Sequence, residues 1–160
     1  MDRDQVLGFN ERNIAEFRAS GGRIASFGAA PVLLLTTVGT RTGSPRTSPM
    51  MYLPDEHNPD RVYVFASAAG ADANPAWFHN LLAHPAVVVE IDDRTVNADA
   101  QVLAEPLRAQ VYAEQASRYS GFADYQNKTA RPIPVVALTL HAQTGPRAWR
   151  SREPVRPAGA

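Results

Sequence analysis

With 160 residues, 44% of them hydrophobic and 20% charged, the chain has the size and composition of one packed domain and not of a disordered segment. Sixteen Lys and Arg side chains balance sixteen Asp and Glu, so the basic excess or one-signed stripe of a duplex nucleic-acid binder is missing. Cysteine is absent, which removes disulfides, thiolate nucleophiles and cysteine-bound zinc together.

The start, Met1 to Asp4, is acidic and lacks the apolar core of a secretory signal. The longest apolar run, Ala29 to Val38, contains Pro31 and is far shorter than the ~18–20 apolar residues of a membrane span. The chain is therefore expected to be soluble and cytoplasmic. Its single lysine, Lys128, beside abundant arginine and alanine, reflects a GC-rich genome more than a site.

From Asp4 to Ser20 a thin stripe of Val6, Leu7, Ile14 and Phe17 predicts an amphipathic helix, capped at Asn10 and closed by Gly21-Gly22. Docking on the body is its plain role; a lid or a peripheral contact with the inner face of a membrane is the alternative. Val32 to Val38 and Arg46 to Leu53 flank a Gly/Pro-rich turn and predict a hairpin, with Pro49 at an edge or bulge. Val62 to Ser67 predicts a third strand. Asn74 as cap and Pro75 as first residue open a short helix that stops before Pro85.

Val87 to Ile91 and Thr95 to Leu103 follow as strands, Glu105 to Tyr119 as a helix, and Pro134 to Leu140 as the last strand. The tail after Gln143, rich in Pro, Arg and Ala, reads as frayed. About six strands joined mostly by turns, with three helices, predict a mainly β, antiparallel split barrel with appended helices and not a doubly wound sheet. The organisation is an N-terminal helix over residues 1–22, a barrel domain over 23–142 and a flexible tail over 143–160.

The usual catalytic signatures are missing: no G-x-G-x-x-G, no phosphate-binding Walker loop, no G-x-S-x-G and no H-E-x-x-H. His57, His79, His84 and His141 are scattered, so no metal site is expected. Three segments carry chemistry instead. The turn Thr40 to Arg46 gathers Arg41, Arg46 and two threonine hydroxyls around Gly43, a set suited to a phosphate or carboxylate, unless it is only a solvated hairpin tip. Ser67 to Ala71 offers small residues on which a flat ring can lie, ahead of a helix carrying Trp77 and Phe78. Tyr119, Phe122 and Tyr125 surround a helical break at Gly121, and a tyrosine hydroxyl facing a cavity can donate a proton as readily as it can pack.

In this order the stretches LLTTVGTRTGSPR, FASAAGADANPAWFHNLLAHP and YSGFADYQNKTARPIPVV resemble the deazaflavin-dependent nitroreductase family, which uses coenzyme F420. The resemblance runs from about Arg23 to Leu140. It implies a split β-barrel and a hydride-transferring reductase acting on a small electron-poor acceptor. It also implies that Thr40, Arg41, Thr42 and Arg46 hold the phosphate and glutamyl tail, with Ser48, Met50 and Met51 following along the strand. Phe65, Ala66, Ser67 and Ala68 would pass under the ring, and Ala76, Trp77 and Phe78 would flank it. Tyr119, Tyr125 and Ser67 are the implied proton donors, and Met51 and Phe122 the implied walls of the substrate pocket.

The chain departs from the nitroimidazole-reducing members at four positions: Met51 and Phe122 stand where those carry tyrosines, and Thr40 and Ala68 replace basic residues. Quinones and conjugated enones are therefore the expected acceptors ahead of nitroimidazoles. A flavin mononucleotide oxidoreductase on the same barrel, or a non-catalytic deazaflavin carrier, fits the same residues. A homodimer is compatible with such barrels, though no residue here marks an interface.

Overall fold

A computed structural model describes residues 3–141. The elements are α1 (Arg3–Ser20), β1 (Val32–Val38), β2 (Pro45–Met51), β3 (Leu53–Pro54), β4 (Arg61–Phe65), α2 (Ala76–Ala83), β5 (Ala86–Ile91), β6 (Arg94–Val102), α3 (Leu107–Arg118), α4 (Ser120–Asn127) and β7 (Val135–Leu140). The tail expected to fray lies outside the described residues. No helix among them is long and apolar enough to cross a membrane.

All seven strands form one antiparallel sheet in the order β2-β1-β5-β6-β7-β4-β3. Its two terminal strands, β2 and β3, are separated in sequence by Tyr52 alone. One residue spans at most ~7 Å between its neighbours' Cα atoms, so the two ends of the sheet must come together. That is the geometry of a barrel split along one seam. At the corner the Tyr52 N–H bonds to Pro31 O at 3.1 Å and keeps its backbone satisfied while the chain changes partner. The second run expected from Arg46 to Leu53 is thus two strands.

Alternation along the strands sorts side chains onto two faces. Leu33, Leu35, Val62, Val64, Val87 and Leu138 point into the barrel, where Phe78 and Leu81 of α2 close the core. On the outside, Tyr63, Phe65, Val135 and Ala137 pack against Val111, Tyr112 and Phe122 of the α3–α4 pair. Val32 and Leu34 pack outside against Phe17 of α1 and Ile24. Burying each such side chain is worth about 1.5–3 kcal/mol, which holds the helices against the barrel.

Several boundaries differ from expectation for physical reasons. Asn10 does not cap α1; it lies within the helix, which begins at Arg3. The glycine pair does end it, with φ of 76° and 115° at Gly21 and Gly22. The helix expected from Glu105 to Tyr119 runs from Leu107 to Arg118, and a separate α4 follows, giving four α-helices among the described residues. Tyr119 separates them in extended conformation (φ −135°, ψ 99°), its N–H closing α3 on Gln115 O and its carbonyl accepting from Phe122 N–H. β4 stops at Phe65, because Ser67 already turns into a short 3-10 segment. Pro49 lies in edge strand β2, and the continuous pairing of β2 with β1 leaves no bulge.

Candidate functional site

Three neighbouring cavities share wall residues beside β2. The first, about 520 Å³, is lined by Gly39 to Thr42, Arg46, Ser48, Ala76, Trp77 and Asn80, with Asn10, Glu11 and Ile14 of α1 as its far wall. The second, about 240 Å³, is lined by Met50, Met51, Phe65, Ser67, Ala68, Trp77, Phe122 and Tyr125. The third, about 540 Å³, is lined by Met51, Tyr119, Phe122 and Tyr125 and by Ser26, Phe27, Ala29 and Ala30. Trp77 belongs to the first two, and Met51, Phe122 and Tyr125 to the last two. One groove therefore passes from a cationic end over a small-residue shelf to an aromatic end.

The cationic end is the β1–β2 turn. Gly39 N–H bonds Ser44 O at 2.8 Å and Gly43 N–H bonds Gly39 O at 2.9 Å, which closes a tight loop. Arg41 and Arg46 are exposed, and neither is paired with a carboxylate among the described residues. Asn80, 5% exposed on α2, donates to Thr37 Oγ1 at 3.0 Å and accepts the Thr40 N–H at 3.3 Å. That buried amide fixes the distance between the turn and the Ala76–Trp77 wall across the groove.

The shelf is formed by backbone. Ala68, Ala69 and Gly70 have φ of 46°, 55° and 85°, left-handed values that alanine adopts only under constraint. A Cβ on Gly70 would stand 2.8 Å from Tyr125 O and 3.0 Å from the Lys128 side chain, so the shelf rests directly on α4. The helix cap expected at Asn74 is replaced by Pro75, and the Asn74 side chain accepts a bond from Arg131 at 2.7 Å instead.

At the aromatic end Phe122 meets Phe65 and Tyr125 edge to face, with centroids 5.5 and 5.3 Å apart. Among the described residues no hydrogen-bond partner is present for the Tyr119 and Tyr125 hydroxyls, which leaves both available to a ligand. Tyr112 differs: its hydroxyl donates to Phe122 O at 2.6 Å, and burial pushes its pKa up to about 12. It is a structural donor behind the wall.

Of the expected site residues, Ala66 and Phe78 are not brought to the groove. Ala66 is fully buried, and Phe78 is 7% exposed within the barrel core. Both point inward because strand and helix alternation turns them away from their neighbours Ser67 and Trp77. The remaining expected residues line at least one cavity. Sequence reasoning did not name as site residues Phe27, Asn80 or the α1 residues Asn10, Glu11 and Ile14, which only long-range folding joins to the site, nor Pro49, which sits between Ser48 and Met50 in β2. No group of three or more His, Cys, Asp or Glu able to hold a metal occurs among the described residues.

The donor set suits a flat ring with a polyanionic tail: guanidinium groups and hydroxyls at one end, side chains no larger than a methyl or hydroxymethyl on the shelf, and phenols beyond, the guanidinium groups without a carboxylate partner among the described residues. The family model of F420H(2)-dependent quinone reductases matches residues 10–140. An F420H(2)-dependent quinone reductase of Mycobacterium tuberculosis is 36% identical over 133 residues, covering 78% of this chain and 85% of that protein. The solved structure of an F420-H2 dependent reductase (FDR-A) superposes with a TM-score of 0.60 at 30% identity, over 68% of this chain and 93% of the other. A second solved chain, described as a domain-swapped dimer, has a TM-score of 0.61 at 28% identity, over 80% of this chain and 96% of its own length. The chain belongs to the F420H2-dependent quinone reductase family.

Proposed function

We propose that this groove binds coenzyme F420 and that the protein uses it to reduce a quinone, with a conjugated enone or nitroaromatic as further acceptors. The observation that supports the reading is that three neighbouring cavities share wall residues, Trp77 between the first two and Met51 between the last two, with arginines lining one end and tyrosines the other. When bound, the reduced deazaflavin supplies the hydride.

The residues of this chain do the rest. Arg41 and Arg46, with Thr40 and Thr42, hold the phosphate and glutamyl carboxylates, and Ser48 extends that contact along β2. Met50, Met51, Phe65, Ser67 and Ala68 support the ring, and Ala76 and Trp77 flank it. Met51 and Phe122 wall off the acceptor and exclude water. Negative charge develops on an acceptor oxygen as it is reduced, and a hydroxyl of Tyr125, Tyr119 or Ser67 stabilises and protonates that oxygen, recovering its proton from solvent.

Titration with oxidised coenzyme F420, with flavin mononucleotide in parallel, tests the cofactor. The expected result is binding of the deazaflavin alone, weakened at least about tenfold in the Arg41→Ala, Arg46→Ala double variant, since a charge-assisted bond contributes about 1.5–3 kcal/mol. Preferential flavin binding overturns the choice, and tight deazaflavin binding with no turnover on any acceptor makes the protein a carrier. Two further partners belong to this reading: a second copy of the chain, tested by light scattering, and a membrane surface at α1, tested by flotation with anionic liposomes. A monomer removes the first, and a protein that stays wholly in solution removes the second.

A further inference from the structure

Arg131 lines none of the three cavities of the groove, yet all five of its guanidinium N–H donors are placed on the segment that forms the shelf. Its Nε donates to Ala71 O at 2.9 Å. Nη1 donates to Ala66 O at 3.2 Å and Asn74 Oδ1 at 2.7 Å, and Nη2 to Ser67 O at 3.0 Å and Ala73 O at 3.3 Å. One planar fork thus ties residues 66–74 together at five points, which a lysine ammonium with three donors cannot reproduce.

The tied segment contains the left-handed Ala68 and Ala69. Alanine keeps that backbone only where its surroundings over-determine it. Arg131 is in turn held to α4: Gln126 Nε2 donates to Arg131 O at 2.8 Å, and Gln126 Oε1 accepts the Ile133 N–H at 3.1 Å. Gln126 adjoins Tyr125, whose carbonyl lies beneath Gly70. Shelf and phenol therefore hang from one set of contacts.

We infer that Arg131 is a positioning residue that pre-forms the shelf for the flat ring and, through Gln126, sets the shelf against Tyr125. The inference rests on the reading of the groove as a deazaflavin site, but its first test needs no ligand. Amide hydrogen exchange of the cofactor-free protein reports on Gly70 and Ala71, whose N–H groups bond Ser67 O and Ala68 O at 2.9 and 3.1 Å.

In Arg131→Lys and Arg131→Ala, exchange at these two amides is expected to rise about tenfold or more while the β1–β5 amides stay protected. Affinity for a deazaflavin lacking the phosphate–glutamyl tail should fall by the same factor as affinity for intact coenzyme F420, and millimolar guanidinium ion should restore Arg131→Ala but not Arg131→Lys. Unchanged exchange, a loss confined to the tailed coenzyme, or a uniform rise across the sheet would each overturn the inference. Should Arg131→Ala not fold, Arg131→Lys decides by the same readouts. A wild-type protein that takes up neither deazaflavin overturns the reading of the groove and the ring's place on the shelf; exchange that still rises in Arg131→Lys then keeps Arg131 as the residue that holds the segment.

Discussion

Three tyrosines sit within one small region, and their surroundings separate their roles. Tyr125 and Tyr119 line the cavity beside Met51 and Phe122, and among the described residues neither hydroxyl has a hydrogen-bond partner. Tyr125→Phe should therefore lower kcat several-fold while leaving the dissociation constant of the deazaflavin nearly unchanged. The reverse pattern would make Tyr125 a binding residue. Tyr112 is committed to Phe122 O, so Tyr112→Phe should cost about 1 kcal/mol of stability and leave the pH profile of turnover in place. Because burial raises the Tyr112 pKa to about 12, its contribution is complete below the ordinary phenol range near pH 10 and is lost as pH climbs from there through about 12. Chemical denaturation of the wild type and Tyr112→Phe at pH 8 and pH 11 measures both effects.

At the scale of elements, the hairpin, the cationic turn and the final strand were legible because each rests on local signals: β-branched runs, glycine and proline at the turn, and an apolar stretch after Pro134. The shelf was only partly legible. Small residues marked its place, but its left-handed alanines depend on Arg131, between 57 and 65 residues away along the chain, and no local pattern announces such a bond. The same holds for Tyr52, where strand propensity continues through a corner that only the closing of the barrel explains. Gly70 shows how tightly the elements meet. At φ 85° and with Tyr125 O only 2.8 Å from a prospective Cβ, Gly70→Ala should destabilise the protein by about 1–3 kcal/mol. It should also loosen deazaflavin binding, which thermal unfolding and titration would record together; a variant of wild-type stability would mean that the shelf can lift off α4 freely.

For the molecule as a whole, α1 is the element whose place matters most. Phe17 is 2% exposed against Ile24, Val32 and Leu34, and Arg18 grips the buried Glu90 through two bonds of 2.9 and 3.0 Å. The helix then passes along the cationic cavity with Asn10, Glu11 and Ile14. It packs against the barrel and forms one wall of that cavity. Phe17→Ala should cost about 3–5 kcal/mol if the whole helix unfolds with the barrel. If α1 instead detaches alone, the loss in global stability will be small and affinity for coenzyme F420 will fall, because one wall of the tail cavity goes with it. Denaturant titration followed by circular dichroism, beside cofactor titration, separates the two courses.

Trp77 stands where the cationic cavity meets the shelf, and it is the single tryptophan among the described residues; Trp149 is the other in the sequence. A deazaflavin chromophore absorbs where indole emits, so a ring on the shelf would quench Trp77 by energy transfer. An inorganic polyphosphate in the cationic cavity has no such absorption and would act on the emission only through its charge, without energy transfer. In a Trp149→Phe background the protein would thus carry its own optical gauge, one that distinguishes which half of the groove is filled and in what order the two halves fill.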